Sequence, residues 1–160
     1  MNSLNISISL HACRSHHSVL RHLLQEMAAQ PANDEAKAIA ILQRLRNVLV
    51  THLKLEDDTL YPYLIQSENP MLRDKALRFK AEMGSLAHDF SRFYEAWEPP
   101  GHISKERDRF LEESSALRSA LLIRMDSEDH DLYEIADRVL RGEAQGAPVN
   151  RPGATETEMQ

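Results

Sequence analysis

Apolar residues recur at intervals of three and four along four segments of the chain, which is the period of an amphipathic α-helix. The third segment has the clearest pattern, with apolar residues at Leu72, Ala76, Phe79, Met83, Leu86, Phe90, Phe93 and Trp97. Breaks that contain proline separate the segments at residues 30–34, 67–70 and 98–102. Four amphipathic helices with short connections predict an all-α fold, an antiparallel, up-down-up-down four-helix bundle.

The length of 160 residues suits one domain with its own hydrophobic core. Residues 142–160 are rich in Gly, Pro, Ala, Thr and Glu, a composition that does not support a packed core. We therefore predict a helical domain over residues 1–141 and a disordered tail over residues 142–160. Within the domain, Pro62 is expected to kink or end the second helix, since proline has no N–H to donate.

Charge and cysteine content narrow the functional classes. A net charge of -6 without a cluster of basic residues argues against a nucleic-acid partner. No apolar run approaches the roughly 20 residues of a membrane span, and residues 1–10 lack the features of a signal peptide. The single cysteine, Cys13, fits a reduced, buried thiol, so we expect a cytoplasmic protein. Homodimers are common among helical bundles, but no patch in this sequence indicates such an interface.

Polar side chains interrupt three of the apolar faces. His52 and Glu56 lie one turn apart on the face that Leu55 and Tyr63 extend, and His17 lies on the face of the first helix. The fourth face, which includes Leu132, Ile135 and Val139, is interrupted by Arg124 and Glu128. These groups should meet at one level of the bundle, where burial is costly unless they pair or bind a cation. The spacing alone leaves both a metal site and a metal-free polar network open.

Three motifs resemble those of hemerythrin-like (HHE cation-binding) domains. Residues 17–24, HSVLRHLL, are similar to the first-helix signature of that family. Residues 52–64, HLKLEDDTLYPYL, are similar to the second-helix signature, and residues 128–133, EDHDLY, to the fourth-helix counterpart. The resemblance extends over roughly residues 10–140. It implies a metal centre inside the bundle, with ligands at His17, His52, Glu56 and Glu128.

Two positions depart from the diiron pattern that the resemblance implies. Arg124 occupies the position where the resemblance implies a histidine in the fourth helix, and Met83 occupies the corresponding histidine position in the third helix. Both changes remove ligands from the same iron. The remaining set suits one Fe, Mn or Zn ion, or none. We expect the Arg124 guanidinium to take the place of the missing cation and to hold Glu56 or Glu128 ionised, which disfavours diiron dioxygen carriage.

Alternatives remain for individual ligands. Glu82 borders the third apolar face and could supply a substitute carboxylate, whereas His88 could contribute only if that helix were rotated. His16 is an alternative to His17. The acidic runs at residues 57–58 and 126–131 are interpreted as hydrated helix faces.

The leading functional prediction is a sensing or binding domain with a degenerate metal site. No nucleophile–base arrangement or phosphate-binding loop supports an enzyme. The alternatives are a metal-free helical module for protein interaction, with Arg124, Glu56, Glu128 and the histidines as a polar network, and a protein of iron handling or nitric-oxide stress.

Overall fold

The computed structural model describes residues 3–29 and 33–143, and its regular elements are all helical. In chain order they are α1 (Ser3–Ala29), α2 (Glu35–Leu55), a π-helical segment π1 (Glu56–Leu60), α3 (Tyr61–Ile65), α4 (Pro70–Trp97), α5 (His102–Lys105), α6 (Arg107–Ser127), a second π-helical segment π2 (Glu128–Tyr133) and α7 (Glu134–Leu140). The predicted all-α class is confirmed. The short helix α5 was not predicted, and the up-down-up-down order stays a prediction.

Helices begin where the polar breaks predicted a change of direction. Asp34 caps α2, and its side chain accepts a hydrogen bond from the backbone N–H of Lys37 at 3.1 Å. Asn69 caps α4 in the same way, with Pro70 at the first helical position. The left-handed Gly101, at φ 88°, precedes α5, and its N–H donates to the carboxylate of Glu35 at 2.8 Å.

The core consists of two apolar clusters, and a group of buried polar residues lies between them. One cluster is built around Leu24, Leu45, Phe93, Trp97 and Phe110. The other includes Ile6, Leu10, Leu64, Leu72 and Leu132. Between the two clusters lie the buried polar residues that interrupt the predicted faces. They are His17 on α1, His52 and Glu56 where α2 continues into π1, and Glu128 where α6 continues into π2.

The π-helical segments shift the buried face by one residue. The prediction placed Tyr63, Ile135 and Val139 on the buried faces, but all three are half-buried. The buried positions one residue further along are Leu64 and Ala136. A π-helix closes i to i+5 hydrogen bonds, as between the Tyr61 N–H and the Glu56 carbonyl, so the face advances by an extra residue.

Pro62 does not end the second helical segment. The π1 segment gives way to α3 immediately before this residue, and helical structure continues to Ile65. At the other end of the domain, α7 ends at Leu140 and is followed by Gly142 at φ 73°. From residue 144 onward the predicted disordered tail lies outside the described residues. No helix within residues 3–29 and 33–143 has both the length and the apolar character that crossing a membrane requires.

Candidate metal centre

The four predicted ligands are buried together between the two apolar clusters. His17 comes from α1, His52 from the last turn of α2, Glu56 from the start of π1 and Glu128 from the start of π2. The exposed fraction of each residue is 2% or less. Each carboxylate therefore begins a π-helical segment, a backbone form that often occurs at functional sites.

The histidines approach one oxygen of each carboxylate. His17 Nε2 lies 3.0 Å from Glu128 Oε2, and His52 Nε2 lies 3.7 Å from the same oxygen. His52 Nε2 is also 3.6 Å from Glu56 Oε2. One ligand atom each from His17, His52 and Glu128 fall within 4.8 Å of one another, the spacing of a candidate metal site. Glu56 lies beside this group of three, not within it.

Arg124 is inside the protein, as predicted, with an exposed fraction of 8%. Its Nε donates to Glu128 Oε1 at 2.5 Å. Its Nη2 donates to the Phe79 carbonyl at 2.7 Å and to the Tyr61 hydroxyl at 3.1 Å. The guanidinium carbon also lies 4.6 Å from the centroid of the Phe79 ring. Among the described residues the guanidinium thus holds Glu128, and its hydrogen bonds do not include Glu56.

The Glu56 carboxylate is held by a tyrosine that the pattern of apolar faces did not predict. The Tyr133 hydroxyl donates to Glu56 Oε1 at 2.6 Å, and its ring stacks on His17 with centroids 5.5 Å apart. The available signal was a repeat: Glu56 and Glu128 are each followed five residues later by a tyrosine, Tyr61 and Tyr133.

One acidic side chain of the predicted hydrated face instead reaches the centre. Asp129 Oδ1 lies 2.8 Å from His17 Nδ1, and Arg21 Nη2 donates to Asp129 Oδ2 at 2.8 Å. Arg21 also contacts Asp126 at 2.7 Å, on the more exposed side of the helix. The interpretation of residues 126–131 as a hydrated surface is therefore wrong at Asp129.

The buried charges shift the ionisation of the site residues. Burial alone would lower the pKa of His17, but the hydrogen bond to Asp129 and the contact with Glu128 raise it to about 9. Burial would likewise raise the pKa of Glu128, yet contacts with His17 and His52 and the charge of Arg124 hold it well below its usual range. The pKa of Glu56 is raised by burial and by the neighbouring charge of Glu128.

The structure separates the alternative ligands from the centre. Glu82 has an exposed side chain that lies 3.5 Å from Arg124 Nη1. It therefore pairs with the Arg124 guanidinium and does not belong to the group of candidate metal ligands. His88 is exposed on α4. His16 is half-buried and packs edge-on against His52, with ring centroids 5.8 Å apart. Of the two adjacent histidines, His17 is the one that reaches Glu128.

Met83 is buried next to the centre, where the resemblance expects the missing histidine. It lines a cavity of about 10 Å³, room for about one water molecule, together with His52, Arg124 and Glu128. Met83 also lines a cleft of about 190 Å³, which Gly84, Lys80 and Glu56 border as well.

The donor set fits a transition-metal ion. Two imidazole nitrogens with one or two carboxylate oxygens suit iron, manganese or zinc. One of the converging atoms, Glu56 Oε2, is buried and accepts no hydrogen bond in the described part of the chain. Buried polar atoms are rarely left in that state, so a bound cation would satisfy this oxygen.

A family model, the hemerythrin HHE cation binding domain, matches residues 9–136. This match covers most of the chain, which therefore belongs to the hemerythrin HHE cation-binding domain family. No curated protein and no solved structure gives a significant match.

Proposed function

We propose that this HHE domain binds a single transition-metal ion, with iron as the first candidate and manganese or zinc as alternatives. His17, His52 and Glu128 would hold the ion, and Glu56 would be a fourth ligand. The domain would serve a sensing or binding role and would not carry dioxygen at a diiron centre.

One observation carries the proposal: Glu128 divides its two oxygens between different partners. Oε1 accepts from Arg124, and Oε2 faces His17 and His52. A carboxylate that bridges two ions must offer one oxygen to each. Here the guanidinium takes one oxygen permanently, because arginine stays charged in proteins. A single cation position is left.

The hydrogen bonds of Glu56 also support a single metal ion. Its Oε1 accepts from the Tyr133 hydroxyl, and its Oε2 lies near His52 without a hydrogen bond from any described residue. Both glutamates therefore hold one oxygen in a hydrogen bond and direct the other toward the histidines. An iron ion held there would supply single-electron redox chemistry, whereas reversible dioxygen binding at a diiron centre shares two electrons between two irons.

A metal-free interaction module is the second candidate, and the balance of charge favours it. Arg124 and a protonated His17 offset the ionised Glu128 and Asp129, and the raised pKa of Glu56 favours its neutral form. The centre can thus be neutralised by its own side chains. A metal ion would have to displace protons from His17 and Glu56, so its affinity should increase with pH.

The deciding experiment is a titration of metal-free protein with Fe(II) under anaerobic conditions, repeated with Mn(II) and Zn(II). The His52→Ala variant should lose metal binding and keep its helical circular dichroism spectrum. His88→Ala, which changes an exposed histidine of α4, is the matched control and should bind like the wild type. Absence of binding by the wild-type protein would favour the metal-free module.

We also propose the antiparallel, up-down-up-down order of the long helices and a cytoplasmic location. The short connections between α3 and α4 and between α4 and α6 support the first. The buried, unpaired thiol of Cys13 supports the second, because it fits a reducing compartment.

A further inference from the structure

The two histidines of the centre are held differently. Asp129 accepts from one side of the His17 ring, at Nδ1, while the other nitrogen of that ring faces Glu128. The ring of His52 has no such support, since its buried Nδ1 lacks a hydrogen-bond partner among the described residues. His17 is therefore the histidine whose orientation the protein fixes in advance.

Consecutive residues of π2 produce this arrangement. Glu128 and Asp129 are neighbours in the chain, yet their carboxylates contact opposite nitrogens of one imidazole, at 3.0 Å and 2.8 Å. Asp129 is itself anchored, because Arg21 on α1 donates to its second oxygen at 2.8 Å. Arg21 lies one turn after His17, so α1 supplies both the ring and the cation that holds its carboxylate partner.

We propose that Asp129, anchored by Arg21, is a positioning residue that presents His17 to the metal ion. An imidazole has two nitrogens, and a metal binds the one that carries no proton. A carboxylate at Nδ1 keeps the proton on that nitrogen and leaves the Nε2 lone pair for the ion. It also prevents the ring from rotating away from Glu128. This inference rests on the proposed metal binding but concerns a residue outside the ligand set.

Carboxylate partners of metal-bound histidines typically change metal affinity by about 10- to 100-fold when they are removed. We expect Asp129→Ala to weaken Zn(II) binding by a factor in that range. Asp129→Asn should lie between this variant and the wild type, because its amide oxygen can still accept from Nδ1. Arg21→Gln should have a smaller effect, since it leaves the Asp129 to His17 contact in place.

Asp57 provides a matched control. It follows Glu56 as Asp129 follows Glu128, but its carboxylate is exposed and lies 3.7 Å from Lys80. Asp57→Ala removes the same charge at nearly the same level of the domain, without touching a histidine. Its Zn(II) affinity should stay within about twofold of the wild type, as expected for an exposed pair.

The experiment is a competition titration of Zn(II) against a chromophoric chelator, combined with ¹⁵N NMR of the histidine rings in the zinc-loaded proteins. We expect a protected Nδ1 proton on His17 in the wild type and in Asp129→Asn, and its loss in Asp129→Ala. Equal Zn(II) affinities for Asp129→Ala and Asp57→Ala, or a His17 ring bound through Nδ1, would overturn the positioning role alone. A wild-type protein that binds no metal would overturn the proposed function, and the positioning role with it. If Asp129→Ala does not fold, the Zn(II) affinity of Asp129→Asn decides: weaker binding than that of Asp57→Ala supports the positioning role, and equal binding overturns it.

Discussion

The two π-helical segments share a pattern but meet different neighbours. Each begins with a buried glutamate, Glu56 in π1 and Glu128 in π2, followed by an aspartate and, five residues after the glutamate, by a buried tyrosine. Both tyrosines form hydrogen bonds to residues of the centre: the Tyr133 hydroxyl donates to Glu56, and the Tyr61 hydroxyl accepts from Arg124.

The difference lies in the residue four positions before each glutamate. Before Glu56 this residue is His52, whose Nε2 contacts both carboxylates at 3.6 and 3.7 Å. Before Glu128 it is Arg124, which is committed to Glu128, Tyr61 and Phe79. A histidine can exchange its proton for a metal ion, whereas a guanidinium is a cation that cannot leave. The comparison teaches that the position four residues before each glutamate supplies a potential metal ligand in one segment and a fixed internal cation in the other.

The largest effect should follow from removing the internal cation. Arg124→Met leaves the ionised Glu128 buried with one oxygen unpaired, and breaking a buried pair typically costs about 3–5 kcal/mol. We expect a loss of this order in the free energy of unfolding of the metal-free protein, measured by urea denaturation. Arg138→Met is the control, because Arg138 forms an exposed i,i+4 pair with Glu134 and should matter by less than about 0.5 kcal/mol. Equal losses in the two variants would contradict the account.

The next effect concerns the stability of the metal-free protein as a function of pH. In the folded protein, the contacts with Asp129 and Glu128 raise the pKa of His17 to about 9, above the ordinary histidine value of 6.5. Its contribution is present below pH 6.5 and is lost as pH rises towards 9. The difference corresponds to about 3 kcal/mol at most. The raised pKa of Glu56 acts in the same direction, so the His17→Gln variant is needed to isolate the histidine.

We therefore expect urea denaturation to show a falling stability between pH 6.5 and 9 in the wild type, and a flatter profile in His17→Gln. A wild-type profile that increases over this interval would show that His17 is not held by Asp129 and Glu128.

A smaller effect should distinguish the two tyrosines. Tyr133→Phe removes the hydrogen bond to Glu56 Oε1 and leaves a buried carboxyl oxygen without a donor, at a cost of about 1–3 kcal/mol. Tyr61→Phe should cost less, because Arg124 keeps its contacts with Glu128 and Phe79. Thermal unfolding of both variants measures the difference between their losses of stability. The control is Tyr94→Phe, which changes a half-buried tyrosine outside the centre. A larger loss for Tyr61→Phe would reverse the assigned roles.

The sequence predicted much of the fold because the evidence for helices is local. Helical periodicity and capping residues such as Asp34 and Asn69 act within a few positions. The sequence also predicted that His17, His52, Glu56 and Glu128 lie together, because polar side chains on buried faces must pair with one another or bind a cation.

The π-helical geometry could not be derived from that periodicity. A fixed advance of about 100° per residue assigns Asp129 to the surface and Ile135 to the core. The wider π2 segment changes the register of the residues that follow it, so that Tyr133 and Ala136 are buried. Tyr133 was missed for this physical reason. Asp129 lies half-buried at the edge of the face and was missed because its contacts with His17 and Arg21 are made between helices.

The number of iron ions per chain tests the central claim most directly. Wild-type protein and the double variant Met83→His with Arg124→His, which restores both expected histidines, would be reconstituted anaerobically with excess Fe(II), desalted and measured by elemental analysis. We predict close to one ion per chain for the wild type and close to two for the double variant, since the guanidinium and an ion cannot share Glu128 Oε1. Two ions in the wild-type protein would contradict the account.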